Sequence, residues 1–197
     1  NILQSPPQEV IIQLVNLYNQ GQISAVIKQA EALIEKYPNA FIVWNILGAS
    51  TAQIGMLNKA IEAYKKTISL KPDFAEAYSN MGVALQDMGN LEEALDAYRK
   101  TIILKPNSAN AYYNMGNAFK DQGKLDQAIT AYNKTVSLKP DYVKAYNNMG
   151  LALQDQGKHD EAIEVYNKSI SLNPNYADTY YNMGNILQDQ GKLDEAI

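Results

Sequence analysis

A pattern of 34 residues recurs along the chain and constrains its fold more than any other feature. Five prolines keep this spacing, and five glycines keep it as well. The prolines are Pro38, Pro72, Pro106, Pro140 and Pro174, and the glycines are Gly48, Gly82, Gly116, Gly150 and Gly184. A fixed period of about 20–50 residues is typical of solenoids and other repeat arrays. The sequence therefore predicts small structural units that stack on their neighbours.

Each unit carries the pattern of two amphipathic helices. In the unit that begins at Val143, small or apolar residues recur with helical spacing from Ala145 to Leu153. Gly157 ends this stretch, as glycine commonly does after a helix. A second stripe follows and ends before Pro174, since proline cannot donate a backbone hydrogen bond. The pattern predicts an antiparallel helix pair in each unit and an all-α chain.

The recurring residues match a known repeat pattern over positions 41–197. In the unit from Val143 the matching residues are Tyr146, Met149, Gly150, Leu153, Gly157, Ala162, Tyr166 and Pro174. With this pattern the chain resembles the tetratricopeptide repeat (TPR) family. The resemblance implies a right-handed superhelical solenoid. One departure is regular, because a hydroxyl residue replaces the family's alanine in the second helix, where it can bond back to the preceding turn. These residues are Thr67, Thr101, Thr135 and Ser169.

We expect a single array over 1–197. Its parts are a lead-in at 1–6, a degenerate repeat at 7–40, full repeats at 41–74, 75–108, 109–142 and 143–176, and a truncated repeat at 177–197. In the degenerate repeat, Leu14 and Ala30 replace the packing glycine and tyrosine, which is expected of a terminal repeat. Because the chain starts at Asn1 and breaks off inside a predicted helix, we expect it to be a fragment of a longer protein.

Three recurring sets of residues are assigned to packing. The tyrosines of the second helices are expected to fill the seams between repeats, and the alanines to let helices approach closely. The methionines lie on the apolar stripe of the first helices. The sets are Tyr64, Tyr98, Tyr132 and Tyr166; Ala60, Ala94, Ala128, Ala162 and Ala196; and Met81, Met115, Met149 and Met183.

A column of asparagines provides the candidate binding site. The family resemblance implies that the first helices line the inner, concave surface, where Asn80, Asn114, Asn148 and Asn182 share one phase. An amide both donates and accepts, so the column suits the backbone of an extended peptide. It resembles the asparagine ladder of O-linked N-acetylglucosamine transferases. Asn117 and Asn185 lie one turn on, and Tyr113, Asn147 and Tyr181 lie beside the column. The alternative is that these asparagines are only solvated and were copied by repeat duplication.

A second column is acidic and comes near the end of each first helix. It consists of Asp87, Asp121, Asp155 and Asp189. Heat-shock-protein-binding relatives instead hold a carboxylate with basic residues on this face. That basic clamp is absent here, because the corresponding positions carry Asn45, Ser79, Tyr113, Asn147 and Tyr181. The net charge of −4 then favours neutral or basic ligands over acidic ones.

The sequence gives no support for catalysis, a cofactor or a metal. There is no cysteine, and the one histidine, His159, stands where other repeats have leucine. No glycine-rich phosphate loop occurs, and the negative charge disfavours nucleic acid. No apolar run approaches the roughly 20 residues of a membrane span. We expect no catalytic, cofactor-binding or metal-binding residues, no nucleic-acid or membrane partner, and a bacterial cytoplasmic protein.

Three functions remain open at this point. The first is a scaffold that binds a peptide or partner segment in the concave groove. The second is an N-terminal, substrate-recruiting domain of a larger enzyme, either an O-linked glycosyltransferase or a sulfotransferase. The third is a self-assembly module, a homo-oligomer formed through the C-terminal end, where Leu187, Leu193 and Ile197 are expected to lack a covering neighbour.

Overall fold

The computed structural model describes residues 5–189, which form eleven α-helices and no strand. The helices are α1 (Gln8–Asn19), α2 (Ile23–Lys36), α3 (Phe41–Gln53), α4 (Leu57–Leu70), α5 (Ala75–Asp87), α6 (Leu91–Leu104), α7 (Ala109–Asp121), α8 (Leu125–Leu138), α9 (Val143–Asp155), α10 (His159–Leu172) and α11 (Ala177–Asp189). The predicted all-α fold is confirmed.

The chain divides into two compact units, residues 1–106 and residues 107–197. The first contains α1–α6 and the second contains α7–α11. Inside each unit, every helix packs against the next one along the chain, and the largest contacts join α3 to α4, α5 to α6, α7 to α8 and α9 to α10. These are the predicted helix pairs, each made by the first and second helix of one repeat.

The turn inside each repeat depends on glycine. Gly157 follows the last residues of α9 with a φ of 75°, a left-handed conformation that glycine adopts without strain. The amides of Gly157 and Lys158 donate to the carbonyls of Gln154 and Leu153 at 2.8 and 2.9 Å. This pair of hydrogen bonds ends the helix as predicted, and the chain then reverses into α10.

A tyrosine and a glycine that recur at the same spacing in each repeat pack together in the core of each helix pair. The four tyrosines of the second helices are all buried, namely Tyr64, Tyr98, Tyr132 and Tyr166. Each ring lies against the glycine of its own repeat: a Cβ added to Gly116 would stand 2.6 Å from Cε1 of Tyr132. The tyrosines were expected at the seams between repeats. Their rings pack against the first helix of their own repeat. The missing glycine side chain provides the room for the ring.

The regular hydroxyl residues behave as predicted in three repeats. Thr67, Thr101 and Thr135 each donate to the carbonyl four residues earlier, at 2.9–3.0 Å. Ser169 differs, since its hydroxyl lies 2.9 Å from the hydroxyl of Thr179. Its 3.4 Å contact with the carbonyl of Val143 has a counterpart between Thr67 and Phe41. The fourth repeat therefore uses this position to reach the next repeat.

Two packing expectations need correction. Leu187 was predicted to lack cover, but it is only 3% exposed. It occupies the repeat position of Leu85 and Leu153, which are also buried because this side of the first helix faces the packed interior. Leu193, Ile197 and Ala196 lie outside the described residues. Of the methionines, Met149 is buried, whereas Met81 and Met115 are half-buried and line open surface pockets.

Candidate functional site

The predicted site residues all lie on the first helices of the repeats. Asn80 is on α5, Asn114 and Asn117 on α7, Asn148 on α9, and Asn182 and Asn185 on α11, and all six are half-buried. The three neighbouring residues differ sharply. Tyr113 is half-buried, Asn147 is 4% exposed and Tyr181 is 72% exposed.

In the second unit, α7 and α9 are joined by a polar network around Asn148. Its amide nitrogen Nδ2 lies 2.9 Å from Oδ1 of Asn117 and 3.1 Å from the hydroxyl of Tyr113, and it donates to both. The hydroxyl of Tyr132 donates to the same Asn117 oxygen at 2.8 Å. Asn148 is therefore held in one orientation. The N–H groups of Asn117 remain available to donate hydrogen bonds.

Between α9 and α11 the partners are different but the arrangement is similar. Nδ2 of Asn182 donates to Oδ1 of Asn147 at 3.1 Å, and the hydroxyl of Thr179 donates to the same oxygen at 3.1 Å. Nδ2 of Asn147 in turn points at Oδ1 of Asn148 at 3.4 Å. Both N–H groups of Asn148 and one N–H group of Asn182 are thus used inside the protein, and the oxygen of Asn182 is left as an acceptor.

The first unit does not repeat this network. Asn80 makes no side-chain hydrogen bond to any residue in the range 5–189, and Oδ1 of Asn45 is buried without a partner there. The residue that corresponds to Thr179 is Ala77, which has no hydroxyl to donate. In the second unit, Asn114 also has no side-chain hydrogen bond within the described range. Asn80 and Asn114 therefore keep both donor and acceptor groups.

Aromatic rings gather beside the asparagines of the second unit. The rings of Tyr113 and Tyr142 stack with centroids 4.9 Å apart and an interplanar angle of 29°, and the Tyr132 ring lies 6.1 Å from that of Tyr113. Burial raises the pKa of the Tyr142 phenol. Burial also raises the pKa of Tyr176, with the nearby charge of Asp178 as the next cause. The sequence reasoning missed Tyr142, Tyr176 and Asp178, although an aromatic residue before the first helix already stands at Phe74.

Asn182 and Tyr176 help to form a pocket of about 430 Å³ in the second unit. The side chains of Asp178, Tyr181, Asn148 and Leu151 contribute to its wall. Its polar groups are one carboxylate, phenol hydroxyls and amides whose nitrogens already have acceptors. The pocket therefore presents a carboxylate, amide oxygens and phenol rings.

Neither a metal centre nor a membrane-spanning segment is found in the part of the chain that the structure describes. No three histidine or acidic side chains in that part lie close enough together to hold a metal ion. None of the helices between residues 5 and 189 has the length and apolar character that a bilayer crossing requires. His159 is half-buried at the first position of α10.

A family model described as TPR repeat matches the chain at residues 48–89, 84–123, 116–157 and 152–191. The chain belongs to the TPR family. Among solved structures, this TPR chain is similar to MamA. One MamA structure is 33% identical, with 82% of this chain and 95% of MamA covered and a TM-score of 0.77. A second is 31% identical, with 87% and 96% covered and a TM-score of 0.75.

Two further similarities are lower in sequence identity or in coverage. The TPR protein YrrB, whose structure is described as having an unusual peptide-binding site, shares the fold at a TM-score of 0.75 but only 16% identity, over 89% of this chain and 91% of YrrB. A peroxisomal targeting signal receptor of Kluyveromyces lactis is 36% identical over 78 residues, which is 39% of this chain. The TPR chain spans only 14% of that receptor's length.

Proposed function

We propose that this TPR chain is a protein-interaction scaffold that binds an extended peptide segment along the asparagines of its first helices. One observation carries the proposal: Asn148 and Asn182 are each held by hydrogen bonds that they donate to side chains of the preceding repeat. An amide that is already fixed loses little conformational freedom on binding a ligand. Fixed amides in successive repeats can each bind a different point along an extended peptide backbone.

The asparagines divide into two chemical roles. Asn182 offers its oxygen to a peptide N–H, because its nitrogen is engaged by Asn147. Asn117 offers its nitrogen to a peptide carbonyl, because its oxygen already accepts two hydrogen bonds. Asn114 can do both. Asn147 and Tyr113 serve as positioning residues, since they orient Asn182 and Asn148. Asn185 and Tyr181 add to this set on α11 in the second unit, and Asn80 offers its amide on α5 in the first unit.

Membership of the TPR family supports an interaction protein and not an enzyme. The named peptide-binding site of YrrB and the name of the peroxisomal receptor favour protein or peptide ligands in relatives of this fold. A role as the recruiting domain of a larger enzyme stays a prediction, as do self-association, the bacterial cytoplasm, and the absence of nucleic-acid and membrane partners.

Removing the free asparagine groups tests the proposal. We expect Asn114→Ala combined with Asn182→Ala to weaken the binding of peptides selected on an array by about tenfold, since each hydrogen bond contributes roughly 0.5–1.5 kcal/mol. The measurement is fluorescence anisotropy with the selected peptide, together with a melting curve for each variant.

The second helices supply a matched control. Asn133 and Asn167 are exposed on α8 and α10, away from the first helices. Asn133→Ala with Asn167→Ala removes the same chemical groups and should leave the affinity unchanged. Equal affinity of both double variants for the peptide would place recognition elsewhere on the molecule.

A further inference from the structure

In the first unit, two lysines of the chain contact an aromatic residue and the acid two positions after it. Nζ of Lys71 lies 4.7 Å from the ring centroid of Phe41 and 5.6 Å from that of Phe74. Nζ of Lys105 lies 3.9 Å from the carboxylate of Glu76. At the start of α5, the aromatic ring and the acid therefore each have a cation that the chain itself supplies.

The second unit repeats the aromatic half of this arrangement. Nζ of Lys139 lies 5.4 Å from the ring centroid of Tyr142, which stands two repeats after Phe74. In both cases the lysine is three residues before the ring, at the end of a second helix. A lysine at this distance from an aromatic face is attracted by the ring quadrupole.

One repeat later the aromatic residue and the acid return without a lysine. Tyr176 and Asp178 stand at the positions of Phe74 and Glu76, but Asn173 replaces the lysine. Within the described residues, Asp178 forms no ion pair and no cation lies over the Tyr176 ring. In the repeat before, Lys144 occupies the position of Asp178, so no acid accompanies Tyr142.

The surroundings of Tyr176 and Asp178 also favour a cation. Both line the pocket of about 430 Å³, and none of the residues up to 189 that line it is a lysine or arginine. The nitrogens of Asn148 and Asn182 on its wall already donate inside the protein. What the pocket offers is a carboxylate, aromatic rings and acceptor oxygens, which together suit an ammonium or guanidinium group.

We propose that the pocket formed by Tyr176, Asp178 and Asn182 binds a cationic side chain, lysine or arginine, of the bound peptide. This proposal rests on the proposed peptide-binding function and adds a specificity position to it. The ligand supplies here the cation that the chain supplies at Phe74 and Tyr142. The asparagines hold the peptide backbone, and this pocket selects one of its side chains.

The test uses short, end-blocked glycine–serine peptides with one central lysine, arginine or glutamine. We expect the lysine or arginine peptide to bind at least about threefold more tightly than the glutamine peptide, with backbone NMR shift changes at Tyr176, Asp178 and Tyr181. Asp178→Asn should remove this preference. Asp160→Asn, a change of the same charge in the first turn of α10, should keep it.

A lysine supplied by the chain provides the sharpest variant. Asn173→Lys places a lysine at the repeat position of Lys71, so its side chain should lie over the Tyr176 ring and compete with the peptide cation. Ser171→Lys adds the same charge at an exposed position on α10 and is the control. The preference should vanish in N173K and persist in S171K.

The outcomes separate this proposal from the peptide-binding function. Equal binding of the cationic and glutamine peptides, unaffected by D178N and N173K but weakened by N114A/N182A, would overturn the cation pocket and leave the peptide groove standing. A preference for the cationic peptides that persists in both D178N and N173K would also overturn it. Failure of every peptide to bind would overturn both.

Discussion

The interlocking of one glycine and one tyrosine determines how tightly each repeat closes. The phenol of Tyr132 is fully buried, and burial raises its pKa, so the ring stays neutral in the core. Its hydroxyl has a hydrogen-bond partner there, because it donates to Asn117, a residue of the candidate binding face. Packing and the asparagine network are thereby coupled through a single side chain.

Gly116→Ala tests this interlocking. The added Cβ would stand 2.6 Å from the Tyr132 ring, and overpacking of this kind costs about 1–3 kcal/mol. In the background of Tyr132→Ala the clash disappears, and the same change should instead stabilise, by up to about 1 kcal/mol, through helix propensity. Urea unfolding of the four proteins measures both values. A destabilising G116A in the Y132A background would show that another contact, not the ring, requires the glycine.

At the scale of single residues, the sequence predicted burial better than hydrogen bonding. The buried tyrosines and the glycine that ends α9 follow from composition and spacing alone. The partners of Asn148 do not, because Tyr113 and Asn147 occupy the same repeat position and yet offer different acceptors. Which amide group faces outward depends on these neighbours, and a repeat pattern carries no information about them.

At the scale of helices, α10 and α11 are joined by a pair of residues that has changed together. The other repeats carry Thr67 with Ala77 and Thr135 with Ala145, whereas this junction carries Ser169 with Thr179. A methyl group is lost from one helix and a hydroxyl-bearing side chain is gained on the next. The added hydroxyl of Thr179 bridges Ser169 and Asn147 and so supports Asn182.

We expect these two residues to be energetically coupled. Thr179→Ala alone should cost about 1–2 kcal/mol through a lost hydrogen bond and a small cavity, and Ser169→Thr alone should crowd Thr179. The double variant restores the common pair, so its loss should be smaller than the sum of the single losses by at least about 0.5 kcal/mol. Chemical denaturation of the full cycle measures this coupling, and strictly additive values would show that the two side chains do not share their space.

In the repeat from Val143 the helices end at the predicted markers, because α9 ends at Asp155 before Gly157 and α10 ends at Leu172 before Pro174. The exposure of Leu187 was predicted wrongly, because its repeat position, which faces the packed side of the helix, was given less weight than its place near the end of the sequence. Sequence periodicity gives the phase of a helix. It does not identify the neighbouring side chains that cover each residue.

At the scale of the whole molecule, the TPR array owes its stability to packed repeats, and we propose that polar side chains on the first helices give it specificity. Repeat arrays gain stability roughly as a sum of unit and interface terms, so changes on the polar face can be separated from folding. The site residues themselves remain a prediction from the sequence. The hydrogen bonds of Asn148 and Asn182 support that prediction, because they fix the orientation of two of these side chains.

The most direct test of the central claim is the affinity of one selected peptide before and after methylation of its backbone nitrogens. If the asparagine oxygens accept from peptide N–H groups, methylation removes those donors while keeping every side chain. We predict a loss of at least about tenfold in affinity for the methylated peptide by fluorescence anisotropy, at constant salt. Unchanged affinity would contradict the account, because recognition would then depend on side chains alone and the asparagines would not bind the peptide backbone.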